Sequence, residues 1–213
     1  MLQFRLFGYP IKIEWFFFLL CLFLGMGYLD SGGPQGFALF FVSSAILFLS
    51  ILLHELGHAW ARKKYGAPYS EIVLHGFGGY CTGPGKFSRN QSIAISASGP
   101  AMNLVLAGLC FFLLETFPTL PTIAKVAAVW GWRLNIALAL LNLIPLYPLD
   151  GGQILAQLLG PKHFRTVLWI SIALAIAIAA FGVLSSAIFL AIIFGMMAWG
   201  NWQRLQGQRS QFL

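Results

Sequence analysis

The chain has 213 residues, of which 59% are hydrophobic and 9% charged, and its formal net charge is +7. Soluble domains carry about 25% charged residues, so this chain has too few polar groups to cover a water-exposed surface, and lipid must serve as its outer solvent. Nucleic acid is not an expected partner, because the positive residues stand at the ends of apolar runs rather than among aromatics on a polar face.

Length leaves room for one membrane-embedded domain, residues 1–213, with no folded soluble module beside several spans. Cys21, Cys81 and Cys110 form no CxxC pair, so neither a disulfide framework nor a thiolate metal site is indicated.

In chain order, apolar runs fall at about 15–29, 37–61, 92–114, 124–144, 167–182 and 184–200. A helical span takes about 20 residues, so the first and the last two runs are short, and 167–200 reads as a tight hairpin. The expected fold is an all-α polytopic membrane protein with about six transmembrane helices; five, or a re-entrant segment, are the alternatives. Glu14 and the large residues around Gly25-Met26-Gly27 argue against a cleaved signal, so the first run is expected to be retained. Between the second and third runs, IVLHGFGGYCTGPG has a β-branched start and glycines at 76, 78, 79, 83 and 85. This predicts a short β-hairpin or re-entrant element near 72–85, tolerable at membrane depth only where it packs on protein or lines a cavity.

Charge sets the expected orientation. With both termini on the cytoplasmic side, that side holds Arg5, Lys12, Arg62, Lys63, Lys64, Lys86, Arg89, Lys162, Arg165, Arg204 and Arg209, eleven of the 13 basic residues. Lys125 and Arg133 fall on the far side, an asymmetry of the kind the positive-inside rule expects.

The second run ends ILLHELGHAWARKK. His54 and His58 are four apart and share one helix face, and Glu55 completes H-E-x-x-H. Two neutral imidazoles suit zinc, and the adjacent carboxylate is placed to take a proton from a water that the metal activates. The competing reading is a pair of core histidines satisfied by neighbours. An intramembrane acid costs about 2.5–3.5 kcal/mol even on translocon scales, which favours function.

A catalytic zinc needs a third protein ligand. Of the six acids, Glu14, Asp30 and Glu115 sit at span borders, Glu71 lies in the loop, and Asp150 follows the fourth run in LNLIPLYPLDGGQIL. Pro145 and Pro148 end the helix there, and Gly151-Gly152 are expected to turn the backbone. On the topology above, that run descends to the side that holds His58. Asp150 is therefore the best third ligand on placement; its alternative is an ordinary turn or N-cap aspartate.

These segments resemble the site-2 protease family of intramembrane zinc metalloproteases. The hallmarks are HExxH at 54–58 and N-x-x-P-x-x-P-x-D-G, present as Asn142 through Pro145 and Pro148 to Asp150-Gly151. Gly99-Pro100-Ala101-Met102-Asn103 looks like the family's G-x-x-x-N element, and the ordered match runs from about 40 to 155. The resemblance implies Asp150 as third ligand of one zinc per chain, Glu55 as acid/base, and cleavage of a transmembrane substrate within or near the bilayer. Neither the PDZ insertion nor the CBS domain of many relatives fits in this chain, so it resembles a minimal form, and a separate adaptor becomes conceivable.

For the oxyanion, Asn142 is a candidate stabiliser, against interhelical hydrogen bonding, which is the preferred reading of Asn135 and Asn103. The glycine-rich 72–85 stretch is a candidate for holding an unwound substrate by strand addition, or else a plain hairpin. His75 reads as a polar surface group rather than a fourth ligand, and His163 has no role. The expected setting is a plasma or inner membrane with the site toward the cytoplasm. A transmembrane metal transporter is the alternative function, and a non-catalytic scaffold comes third.

Overall fold

A computed structural model describes residues 1–27 and 33–210, without the side chains of 24, 25 and 208–210. Asp30 lies outside the described residues, as does the side chain of Arg209. Strands β1 (Leu2–Leu6) and β2 (Tyr9–Ile13) form an antiparallel hairpin. Its turn places Phe7 and Gly8 at φ 51° and 86°, the pair of positive φ values that a tight two-residue hairpin uses. Along β2, Tyr9, Ile11 and Ile13 are buried, the period of two that puts one strand face into a core.

Helices α1 (Trp15–Gly25) and α2 (Gly33–Lys64) follow. The chain returns as β3 (Glu71–His75), parallel to β2 with Ile11 opposite Ile72, and closes with β4 (Gly78–Thr82). The sheet order is β1-β2-β3-β4. Parallel neighbours require a crossover connection, and α1 with α2 provide it. The expected hairpin near 72–85 is thus present as β3 and β4, but it is half of a four-stranded sheet, not an isolated element.

The chain divides into two compact units. The first comprises Met1–Phe87 with Ser98–Leu140, and includes most of α3 (Arg89–Thr116) and α4 (Thr122–Leu143). Its core joins sheet and helix: Ile11, Ile13, Ile72 and Leu74 pack with Phe17, Leu47 and Leu56. Lys12 Nζ pairs with Glu71 Oε1 at 2.5 Å across β2 and β3. At Gly57 a Cβ would stand 2.7 Å from the Ser98 carbonyl oxygen; a small residue here lets α2 and α3 approach backbone to backbone.

The second unit comprises Ser88–Ala97 with Leu141–Leu213. It holds α5 (Asp150–Leu159), a 3-10 turn at Pro161–His163, α6 (Phe164–Leu184) and α7 (Ile188–Ser210). Helices α6 and α7 form the hairpin expected at the end of the chain, turning through Ser186 at φ 58°. At Gly182 a Cβ would stand 2.8 Å from the Ala191 nitrogen, so the two helices close without side chains between them there. Leu146, Ala175 and Phe194 form one core, and Leu168, Ile172 and Leu205 another.

Among the described residues, four helices are long and apolar enough to cross a bilayer: Gly33–Lys64, Arg89–Thr116, Thr122–Leu143 and Pro161–Leu184. Helix α1 has only 11 described residues, and α7 is not in this group. The fold is therefore mostly helical with membrane-spanning helices, while the expected count of six is not reached by these criteria. Outward-facing Phe112, Phe181 and Leu184 are 61%, 64% and 85% exposed, which suits a hydrocarbon solvent and not water.

Candidate metal centre

The site begins where α2 becomes buried on all sides. Ile51, Leu52, His54, Glu55, Leu56, Gly57, His58 and Ala59 are all buried, and the helix then ends on Arg62, Lys63 and Lys64. Three cations in the last turn complement the helix dipole and suit a border with water.

His54 and His58 lie on one face with ring centroids 4.8 Å apart and planes at 80°. Their Nε2 atoms are 3.2 Å from each other. Two nitrogens each about 2.0–2.1 Å from one tetrahedral zinc stand about 3.3 Å apart, so the pair is already spaced as ligands of a single ion. The outer edges of the rings are held from α3. His54 Nδ1 is 2.6 Å from Asn103 Oδ1, and Ser98 Oγ is 3.4 Å from His58 Nδ1.

The same α3 face leaves room for the rings. A Cβ on Gly99 would stand 2.6 Å from His54 Nε2 and would run into His58 Nε2. Gly99 and Asn103 are four apart on α3, so one helix face supplies both the space and the hydrogen bond.

Glu55 is buried and faces β4. A Cβ on Gly79 would stand 2.9 Å from Glu55 Oε1, so the strand passes the carboxylate with only its backbone. Cys81 lies on the same strand, and burial, with the Glu55 carboxylate second, pushes its thiol up to about 12. Arg62, two turns after Glu55, grips the far end of β4. It donates from Nε to Ser70 Oγ at 3.1 Å and from Nη2 to the Gly83 carbonyl at 2.6 Å, and it stacks over Phe87.

His75 accepts the Phe77 N–H at Nδ1 and lies against Phe77 and Tyr80. Burial lowers its pKa, and Glu14 opposes that shift. It is not among the described residues grouped as metal donors.

Asp150 is buried at the first residue of α5, where the positive end of the helix dipole favours a carboxylate. The expected turn at Gly151-Gly152 is instead the first turn of that helix. A Cβ on either glycine would run into the backbone of Leu143 and Ile144, or of Leu146 and Tyr147, so the glycines serve close packing. Ahead of Asp150, Tyr147 is gripped from the α6–α7 hairpin. Its N–H donates to Ser171 Oγ at 2.8 Å, its carbonyl accepts from Asn201, and Arg204 stacks on its ring. Asn142 is half-buried near the end of α4. His54 and His58 of the first unit are two buried imidazoles, and Asp150 of the second is a buried carboxylate; all three are residue types that zinc takes as ligands.

The model of Peptidase family M50 matches residues 42–128 and 120–180. This chain belongs to Peptidase family M50. Among relatives, a zinc metalloprotease of Methanocaldococcus jannaschii (MJ0392) is 29% identical over 204 residues, covering 89% of this chain and 56% of the relative. A putative zinc metalloprotease of Synechocystis (sll0528) is 32% identical over 161 residues, covering 72% and 42%. The chain thus spans about half the length of the curated relatives it matches. Among solved structures, the site-2 protease from Methanocaldococcus jannaschii superposes with a TM-score of 0.68 at 27% identity, covering 96% of this chain and 94% of that one. These matches make the M50 chain an integral membrane protein of the site-2 protease fold, and they lend the transporter reading no support.

Three contributors in this M50 chain were not assigned from sequence. Asn103, read there as an interhelical bond, holds a site histidine. Gly99 and Gly79 shape the space around the imidazoles and the carboxylate. The signal for the first two is their one-turn spacing within the G-x-x-x-N element; Gly79 had none beyond glycine content.

Proposed function

We propose that this protein is an intramembrane zinc endopeptidase that hydrolyses peptide bonds within or near transmembrane segments of other membrane proteins. The observation that carries the reading is the buried His54–His58 pair with its Nε2 atoms 3.2 Å apart and Glu55 between them in sequence. Family membership and the names of the relatives support it. Asp150 is the proposed third ligand, on the motif that carries it and on its burial at a helix N-terminus. In this reading residues 1–213 act as one membrane-embedded catalytic domain.

Zinc, when bound, supplies a Lewis acid that polarises the scissile carbonyl and brings water within reach of a carboxylate base. Glu55 takes the proton of the attacking water on a carboxylate oxygen and returns it to the leaving amine nitrogen, help worth about 10²–10⁴ in rate. Asn142 is the proposed amide donor to the developing oxyanion.

A helical substrate must be unwound before its carbonyl is accessible. Strand β4 is an edge of the sheet and passes Glu55 at Gly79, so an extended substrate paired to it would lie beside the base. The distribution of the basic residues supports a reading with both termini and the site toward the cytoplasm of a plasma or inner membrane. An adaptor that presents substrate is compatible with the reading.

The test compares purified wild type and Glu55→Gln for zinc content and for cleavage of single-span membrane peptides. One zinc in both, with cleavage by wild type alone, is the expected result. Equal cleavage by both proteins would remove Glu55 from the mechanism, and zinc in both with cleavage by neither would count against the peptidase reading.

A further inference from the structure

Three helices of the first unit meet in a buried polar chain behind the histidine pair. Asn103 of α3 and Asn135 of α4 are 0% and 2% exposed, and Ser50 of α2 is 2% exposed. Asn103 Nδ2 donates to the Ser50 carbonyl at 3.3 Å and to Asn135 Oδ1 at 2.7 Å. Asn135 Nδ2 donates to the Gly131 carbonyl at 2.8 Å and to Ser50 Oγ at 3.0 Å. An amide side chain is ambiguous by a half-turn, because its oxygen and nitrogen are nearly the same size.

Here the ambiguity is removed by chemistry. Backbone carbonyls only accept, so the atom of Asn135 that faces Gly131 must be nitrogen, and its oxygen must face Asn103. The atom of Asn103 that faces the Ser50 carbonyl must likewise be nitrogen. Both protons of each amide nitrogen are then used, and only Asn103 Oδ1 is left to face His54 Nδ1 at 2.6 Å. That oxygen only accepts, so Nδ1 carries the hydrogen and Nε2 presents a lone pair.

We infer that Asn103 and Asn135 form a polarised relay, its direction set by the Ser50 and Gly131 carbonyls, that holds His54 as the Nδ1–H tautomer, with the Nε2 lone pair that a metal ligand needs. Both asparagines are positioning residues, since neither touches the reacting atoms. The inference rests on the metal reading above for its purpose, but the tautomer follows from the hydrogen bonds alone.

Two measurements on the full-length protein in detergent separate the two ideas. The first is nitrogen-15 NMR of metal-free, histidine-labelled protein, with His54 assigned through His54→Gln. It should show His54 protonated at Nδ1; protonation at Nε2 would overturn the relay whatever the metal does.

The second is zinc affinity by chelator competition. Loss of a hydrogen-bond partner behind a ligating histidine weakens metal binding by about 10–100-fold. Asn103→Leu should show a weakening of that order and Asn135→Leu a smaller one. Should Asn103→Leu fail to fold, Asn135→Leu carries the comparison. Wild-type affinity in both leucine variants would overturn the inference and leave the metal reading intact. Absence of zinc binding in wild type would instead sink the metal reading.

Discussion

A methyl group on residue 99 would meet both imidazole Nε2 atoms, and the backbone of α3 cannot retreat from two rings at once. Gly99→Ala is therefore expected to abolish zinc binding, seen as zinc content after dialysis, while the helices remain folded by circular dichroism. A second residue-scale prediction concerns Cys81. With its thiol pushed up to about 12, the thiolate fraction at pH 8 is about a thousandfold below that of an unperturbed cysteine near 8.5. Alkylation of Cys81 by iodoacetamide, followed by mass spectrometry, should be slower by that order, and its rate should go on rising about tenfold per pH unit past pH 10, where an unperturbed thiol has levelled off.

His75 gives a third prediction. Its pKa is lowered by burial, so the unfolded chain binds the proton first as pH falls. Its contribution to stability is complete above the ordinary value near 6.5 and is lost as pH drops through the lowered one. Thermal melts of His75→Gln between pH 5 and 7 should show less acid destabilisation than wild type.

At the scale of elements, Arg62 links the end of α2 to the end of β4. Hydrogen bonds to a charged group are worth about 1.5–3 kcal/mol each when buried, less where water competes. Arg62→Ala should thus lower thermal stability modestly and raise the KM for extended peptides more than it lowers kcat; an unchanged KM would count against β4 as the substrate strand.

The sequence made some elements legible and concealed others, for physical reasons. Lipid-length apolar runs and the 54–58 motif are read directly, because span length and helix periodicity are strong local signals. The hairpin at β3 and β4 was readable from β-branched residues followed by glycine. Its partner, β1 and β2, was not: LQFRL and YPIKI are short, one contains proline, and they precede a run whose hydropathy dominates any window. Helix α5 was hidden for a different reason. Gly151-Gly152 suggest a turn, and only the backbone packed against them explains glycine inside a helix. Asn103 as the partner of His54 needed three helices in register, which no local pattern encodes.

At the scale of the whole molecule, the composition that excludes water as outer solvent is matched by apolar side chains turned outward along the long helices. The proposed orientation is checked by reporter fusions at the C-terminus, which should report cytoplasm; a periplasmic or luminal signal would reverse the placement of the site. The grip on Tyr147 has a further consequence. Ser171 and Arg204, on the two arms of the α6–α7 hairpin, and Asn201 beside Arg204 all hold a residue three positions before Asp150. A hairpin in lipid tilts to match the thickness of the bilayer, and here the tilt would be passed to the carboxylate. Under the proposed function, bilayer thickness then becomes an input to the chemistry. Reconstituted in vesicles of increasing acyl-chain length, the protein should show a cleavage optimum at one length, and Asn201→Ala should broaden it.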